Sequence, residues 1–198
     1  MKKLMYISLF VLLTASHSFA QEMMVQRSVC QGFSLGGGLG SMGWAISDFT
    51  PPSGGGFGIS LSPAYGFNEK IQIFADVQGS ASTLVDANLG VYASAGQADL
   101  GARWMFGSTI SRWRPFAELH LTQHLIYLTD NTDYWQLGGT GFGFGGGIYY
   151  FIYPELAITG SGKLDFGSYS RITVNGNPWP QTYAYSTTRI FVGMAYTF

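Results

Sequence analysis

His120-Leu-Thr-Gln-His124 has the most familiar chemical spacing in this chain, because on a helix it sets two imidazoles on one face, ready to share a metal ion. The residues around it alternate apolar and polar, which is the period of a strand. On a strand the two rings stand roughly 13 Å apart at ~3.4 Å per residue, too far to share an ion at ~2 Å bond lengths. Glu118 and His120 are nearer neighbours on the same face and read as a hydrogen-bonded interior pair rather than an acid/base catalyst. Two stretches, Gly38 to Gly43 and Gly141 to Gly146, match Gly-x-Gly-x-x-Gly. That spacing cradles a pyrophosphate only between a strand and a helix, and both copies lie inside period-2 segments. Their glycines read instead as relief of crowding. Cys30 is the only cysteine, so no internal disulfide is available. No catalytic, cofactor-binding or metal-binding residue is expected from these features.

The elements that position these residues are strands. The first runs from about Gly32 to Trp44, with Phe33, Leu35 and Leu39 on one face and a nearly bare Ser34, Gly36, Gly38 and Gly40 on the other. After a turn-rich loop from Asp48 to Gly54, the second strand presents Phe57, Ile59, Leu61, Pro63, Tyr65 and Phe67. Asn68-Glu69-Lys70 turns into a third with Ile71, Ile73, Ala75 and Val77 outward, and Gln72, Phe74, Asp76 and Gln78 inward. A looser stretch from Ser80 to Gly90 follows. The fourth strand faces Tyr92, Ala98, Leu100, Ala102, Trp104 and Phe106 outward against Asp99, Gly101, Arg103 and Met105. Leu89, Val91 and Ala93 alternate in the opposite phase, which reads as a bulge.

The fifth strand sets Trp113, Ala117, Leu119, Leu121, Leu125 and Tyr127 outward and Arg114, Glu118, His120, Thr122 and His124 inward, with Gln123 as the odd polar residue outside. A loop from about Leu128 to Thr140 is expected before the sixth strand, where Phe142, Phe144, Ile148, Tyr150 and Ile152 alternate with Gly143, Gly145, Gly147, Tyr149 and Phe151. Past Tyr153-Pro154-Glu155, the seventh places Leu156, Ile158, Leu164 and Phe166 outward, and Thr159, Ser161, Lys163 and Asp165 inward. A long polar segment from Ser168 to Ser186 precedes the eighth.

Composition says what the outer face meets. Charged residues make up 11% of the chain, less than half the usual ~25%, and aromatics and glycine are abundant. The net charge of −1 excludes nucleic-acid binding by bulk charge. Lys2 and Lys3 precede an apolar run from Tyr6 to Leu13, and Ser18-Phe19-Ala20 offers small residues for cleavage, so residues 1–20 read as a signal peptide and 21–31 as a periplasmic lead-in. No later apolar run reaches helical spanning length, so a membrane span has to be built from strands, and lipid then demands a closed barrel. A soluble eight-stranded barrel or sandwich is the competing reading. Connections that alternate long and short, and outward aromatics gathered low (Trp104, Trp113, Tyr150) and high (Phe57, Tyr92, Phe142, Phe144, Phe166), favour the membrane.

Inside such a barrel Asp76, Asp99, Glu118 and Asp165 face Arg103, Lys163 and Arg189, with His120 beside them. Unpaired charges there would be costly to desolvate, so pairing is expected, with Arg103 near Glu118 and Asp165 near Arg189. Eight strands leave an interior just wide enough for side chains to fill. A filled lumen is therefore expected in place of a passive pore.

The last strand carries the most specific likeness. Ile190, Val192, Met194, Tyr196 and Phe198 share one face, and the chain ends on the aromatic. This resembles the C-terminal signal of bacterial outer-membrane β-barrel proteins, and the resemblance implies that the assembly machinery reads it. Residues 32–198 resemble the small OmpA/OmpX-like barrels of Gram-negative bacteria, which implies an all-β, eight-stranded antiparallel up-and-down transmembrane barrel contacting outer-membrane lipids and lipopolysaccharide. The implied roles are envelope integrity or surface interaction through outer loops, without enzyme activity and without a cofactor. Some eight-stranded barrels modify lipid A, which needs a nucleophile and base together at the lipid-facing rim. The histidines here read inward, and no His-x-Ser arrangement like the deacylases' is present.

Overall fold

The computed structural model describes residues 30–51, 53–86, 91–108, 111–129 and 132–198. The expected signal peptide, most of the lead-in, and Leu89 lie outside the described residues. The strands are β1 (Gly32–Ile46), β2 (Ser53–Gly66), β3 (Ile71–Asp86), β4 (Val91–Met105), β5 (Trp113–Thr129), β6 (Tyr134–Phe151), β7 (Leu156–Val174), a three-residue β8 (Asn177–Trp179) and β9 (Tyr183–Thr197). The sheet order is β6-β5-β4-β3-β2-β1-β9-β7, and pairing of β6 with β7 closes it into an all-antiparallel barrel of eight long strands. The short β8 pairs only with the end of β7. Closure removes every long edge, so each backbone polar group along the wall finds its partner in the ladder.

The side chains follow the period-2 pattern. Outward residues such as Ile59, Leu100, Leu119, Leu121, Val192 and Phe198 stay exposed, while Phe74, Asp99, Glu118, His120, Asp165 and Arg189 are buried. In β4 the register differs from the sequence expectation, because Val91 and Ala93 lie in phase with Asp99 and Arg103 and point inward with them. The irregularities lie across the ladder on β3, between Ser80 and Thr83 and between Leu84 and Asp86.

Several strands also run further than their polar/apolar contrast suggests. β6 begins at Tyr134, inside the stretch read as a loop to Thr140, and β7 and β9 take up most of the segment read as polar from Ser168 to Ser186. The alternation of long and short connections consequently disappears from the unpaired residues: residues 106–112 separate β4 from β5, whereas only 87–90 separate β3 from β4. The asymmetry reappears as strand extension at the end opposite the termini. For the same reason Phe142, Phe144 and Phe166 fall in mid-strand rather than at strand ends.

The interior is stacked in three layers. At the end that holds the C-terminus, Cys30, Met105, Phe116, Phe151 and Ala157 form an apolar floor with Tyr149 against it. A charged layer fills the middle. At the far end Met42, Trp44, Ile46, Ile126, Leu128, Leu137, Tyr169, Ile172 and Tyr185 pack into an apolar plug, with Phe49, Trp135 and Tyr183 over it. Backbone crowding sets where glycine is required. A Cβ on Gly40 would stand 2.0 Å from the Ile190 carbonyl oxygen, and one on Gly193 would stand 2.0 Å from that of Gly37.

Two predictions follow from this packing. Gly40→Ala or Gly193→Ala should lower unfolding stability by about 1–3 kcal/mol, the usual cost of overpacking, whereas Gly160→Ala, with nothing within 4 Å of its added carbon, should be close to neutral in denaturant titrations. Cys30 is 2% exposed, and its carbonyl accepts a hydrogen bond from Gln72 Nε2 at 3.1 Å. Burial, opposed by the charges of Arg114 and Arg103, pushes its thiol above the ordinary value of 9.0. Because the folded value is the raised one, this burial contributes fully to stability below the ordinary thiol range and progressively less as pH rises through it. A thiol reagent at pH 8 should therefore label Cys30 slowly in the folded barrel and rapidly once denaturant is added; equal rates would contradict the closed floor.

Candidate functional site

The charged layer is supplied by five strands. Asp76 comes from β3, Asp99 and Arg103 from β4, Glu118 and His120 from β5, Lys163 and Asp165 from β7, and Arg189 from β9. Each occupies an inward position of its strand, and the ladder registers bring them to neighbouring levels: Asp76 faces Asp99, Arg103 faces Glu118, and Lys163 faces Arg189. Two carboxylates side by side, and two cations side by side, would repel. The arrangement is stable because each pair reaches across the lumen to the opposite sign.

Arg189 is the centre of one half. Its Nη1 donates to Asp99 Oδ2 at 2.7 Å and to Gln78 Oε1 at 2.9 Å, while Nη2 and Nε donate to the two oxygens of Asp165 at 2.7 and 3.0 Å. This last contact is the two-pronged grip to which a guanidinium is suited. Thr187 donates to the same carboxylate. Lys163 centres the other half, ion-paired with Asp76 and lying 2.9 Å from Glu118 Oε1 and 3.5 Å from Asp99 Oδ2. Arg103 donates from Nε to Glu118 Oε2 at 2.9 Å and from Nη1 to the Tyr149 hydroxyl at 2.5 Å. Its guanidinium is layered between the rings of Phe74 and Phe116, 4.6 and 4.4 Å from their centroids.

The two histidines take separate roles. His120 Nε2 lies 2.5 Å from Asp165 Oδ1 and 3.2 Å from Arg189 Nη2. Toward Arg189 that nitrogen can only accept and toward Asp165 it can only donate, and the shorter contact is the one to Asp165. His120 thus pairs with Asp165, and Glu118, its neighbour on the strand, pairs with Arg103 and Lys163. His124 Nδ1 lies 2.5 Å from the Tyr169 hydroxyl, in the upper layer. Asp99, His120 and Asp165 approach one another within 4.8 Å, a spacing open to a metal ion. The Arg189 guanidinium already occupies the centre of those carboxylates and supplies the positive charge that an ion would bring.

An internal cavity of ≈ 50 Å³ remains between the bare glycine face of β1 and the Asp76–Lys163 pair, lined also by Ser60, Ser62 and Tyr149. It is polar and large enough for a few waters. Reasoning from sequence missed the upper plug and its Tyr169–His124 contact. The signal was present in the parity of β5, where Ile126 and Leu128 continue the inward phase of Glu118 to His124. It was present again in Asn175-Gly176, a strong hairpin dipeptide. Both residues have positive φ, 52° and 80°, and they join β7 to β8.

Arg189→Met should lower stability by about 3–5 kcal/mol, since it strands two buried carboxylates without their counter-charge. Asp165→Asn should cost less. The double variant should recover part of the loss, with a coupling of about 1–3 kcal/mol in a double-mutant cycle read by urea unfolding. Additive losses would show that the pair is not coupled.

No protein-family model and no curated protein sequence matches the chain. Solved structures do match it. Neisserial surface protein A superposes over 85% of this chain and 98% of its own, with a TM-score of 0.63 at 14% identity. The attachment invasion locus protein Ail of Yersinia pestis covers 84% of this chain and 99% of its own, with a TM-score of 0.53 at 12% identity. The outer membrane protein OprG from Pseudomonas aeruginosa covers 85% and 97%, with a TM-score of 0.54 at 12% identity. Likeness at such low identity is a likeness of fold, and the fold it establishes is the closed eight-stranded antiparallel barrel.

Proposed function

We propose that this chain is a non-enzymatic integral outer-membrane barrel with a filled lumen, exported by its signal peptide and acting through its outer wall and upper rim in envelope integrity or surface interaction. The observation that carries this reading is the pairing of an apolar outside with a closed inside. On β5, Trp113, Pro115, Ala117, Leu119 and Leu121 face outward in succession, about 27 Å along the strand and ~21 Å along the barrel axis at a usual tilt of ~40°. That is close to the ~25 Å apolar band of known transmembrane barrels. Such a wall would aggregate in water. On the terminal strand Ile190, Val192, Met194, Tyr196 and Phe198 present the same face and are the residues the assembly machinery would read.

The interior argues against both catalysis and conduction. His120 and His124 are 4% and 0% exposed and are held by Asp165 and Tyr169, so neither can meet a lipid substrate at the rim. The stacking of side chains in three interior layers, from the floor to the plug, supports a filled lumen. Contact with lipids and lipopolysaccharide would then take place on the wall, and contact with other partners at the rim. Two proteins of the same fold, Neisserial surface protein A and the attachment invasion locus protein of Yersinia pestis, support a surface role.

The test is made on purified protein and on envelopes. Unboiled barrel should migrate anomalously in detergent gels, stay with membranes through alkaline extraction, and give no conductance steps in planar bilayers. Alkaline release would end the membrane reading. Reproducible channel openings would replace the filled barrel with a pore.

A further inference from the structure

Three successive rows of side chains on the outer wall of β5, β6 and β7 differ in chemistry. Ladder partners define the rows, and the lowest of the three, Leu100, Leu121, Phe142 and Phe166, is wholly apolar. The next row up is Ala98, Gln123, Thr140 and Ser168, which is rich in hydrogen-bonding groups. In the third row Gly138 stands between Leu125 and Arg171. Arg171 owes its place to a bulge, because Gly138 pairs with Arg171 and Gly139 with Tyr169, which leaves Ser170 as the extra residue. Tyr169 and Ile172 both point inward, and Arg171 between them is turned outward. A bulge commonly serves to re-aim a side chain in this way.

Among the strand side chains described, Arg171 is the only charged one on the outer face. No carboxylate among the described residues pairs with it, and Asp133 on the rim above is engaged by Asn175 Nδ2 at 2.8 Å. Beside Arg171 lies a groove of ≈ 430 Å³, floored by Gly138 and Gly139 and walled by Gln123, Thr140 and Ser170. It shares Gln123 and Thr140 with a more apolar groove of ≈ 580 Å³ that runs down over Leu100, Leu121 and Phe142. This wall rises away from the end that holds Cys30 and the C-terminus. With the lead-in periplasmic, it meets the outer leaflet, whose lipid in the reading above is lipopolysaccharide.

We propose that the two grooves together seat the lipid A part of lipopolysaccharide. One phosphate lies on Arg171, the amide and hydroxyl groups of the adjoining glucosamine on Gln123, Thr140 and Ser170, and one acyl chain over Leu100, Leu121 and Phe142. The proposal rests on the membrane reading and its orientation. Charge complementarity selects a phosphate, to which an outward guanidinium without a counter-charge is suited. The order of the rows selects lipid A, which places a sugar bearing amides and hydroxyls between its chains and its phosphate, as the wall places a hydrogen-bonding row between its apolar row and its arginine. The glycine floor lets the sugar approach the wall, since a side chain at Gly138 would stand in the groove.

Native mass spectrometry of the folded barrel in detergent, with EDTA present so that no divalent cation bridges the phosphates, tests the proposal with three probes: diphosphoryl lipid A, fully dephosphorylated lipid A and phosphatidylglycerol. Diphosphoryl lipid A should be retained over both others at equal concentration. Arg171→Gln should reduce its retention by about tenfold, the size of one charge-assisted hydrogen bond, and should leave that of the dephosphorylated probe unchanged. Gly138→Leu should weaken both lipid A probes while preserving the heat-dependent gel shift, because a Cβ at Gly138 meets its neighbours at 3.6 and 3.7 Å, ordinary contact distances. Undiminished retention of diphosphoryl lipid A by Arg171→Gln would overturn the proposal. Phosphatidylglycerol retained as well as lipid A would overturn it too, by showing that the polar row does not read the sugar. Since the measurement is made in detergent, it stands or falls separately from insertion into a membrane, which the alkaline extraction reads.

Discussion

Most of this barrel depends on the neutralisation of charge in a space that has no room for bulk water. Four carboxylates, Asp76, Asp99, Glu118 and Asp165, are buried together with Lys163, Arg103 and Arg189. A buried ion pair is weak as a source of stability, because desolvation offsets most of its attraction. Its strength is as a constraint. A one-residue slip of β9 would turn Arg189 to the apolar outside and Ile190 to the inside. The same slip in β7 would expel Lys163 and Asp165, and in β4 Asp99 and Arg103. Every strand that brings a charge to the middle layer is thereby pinned in register by partners on other strands, and the closed ladder passes that register to β1 and β2, which bring none.

The apolar layers above and below make the pairing hold. Arg103 illustrates the dependence, since its guanidinium lies against Phe74 and Phe116 while its nitrogens reach Glu118 and Tyr149. Buried in this way, each of these contacts is stronger than it would be at a surface. The nearly bare face of β1 follows from the same geometry. Gly40 gives way to the Phe191 ring, and the space left beside Gly38 is the small polar cavity next to Asp76 and Lys163.

The strand count, the closure and the inward placement of all eight charged-layer residues were legible in the sequence because there the two faces contrast: polar or glycine inside, apolar outside. Legibility failed where the contrast did. Above His124 the inward residues become Ile126 and Leu128, and above Tyr169 the outward residues become Ser170, Arg171 and Thr173. The polarity of the two faces is inverted while the strands continue, β5 with its parity intact and β7 through a bulge between Tyr169 and Arg171, and a reader following the apolar face sees only a loop. In β4 the same inversion made Val91 and Ala93 look like a phase error, although the parity of the strand never changes. The individual pairings were harder still. Asp165 meets His120 and Arg189 across the lumen from two different strands, and that depends on strand stagger, which no local pattern records.

The inversion also shows where the outside of the protein can carry specificity. A wall facing hydrocarbon gains nothing from polar side chains, so a wall that turns polar on β5 to β7 while remaining in the ladder has left the apolar band. The extension raises the strands beyond the level of Leu121 and Phe142 and carries Gln136, Arg171 and Thr173 above the wholly apolar row. The apolar plug within the same extension keeps it rigid, through Leu137, Tyr169 and Ile172 on the inner faces of those strands. Outer polarity and inner apolarity are therefore two sides of one device. Below the boundary the wall is apolar outside with the charged layer and the apolar floor within; above it the order is that of a water-soluble protein, and any group displayed there is held by a packed core.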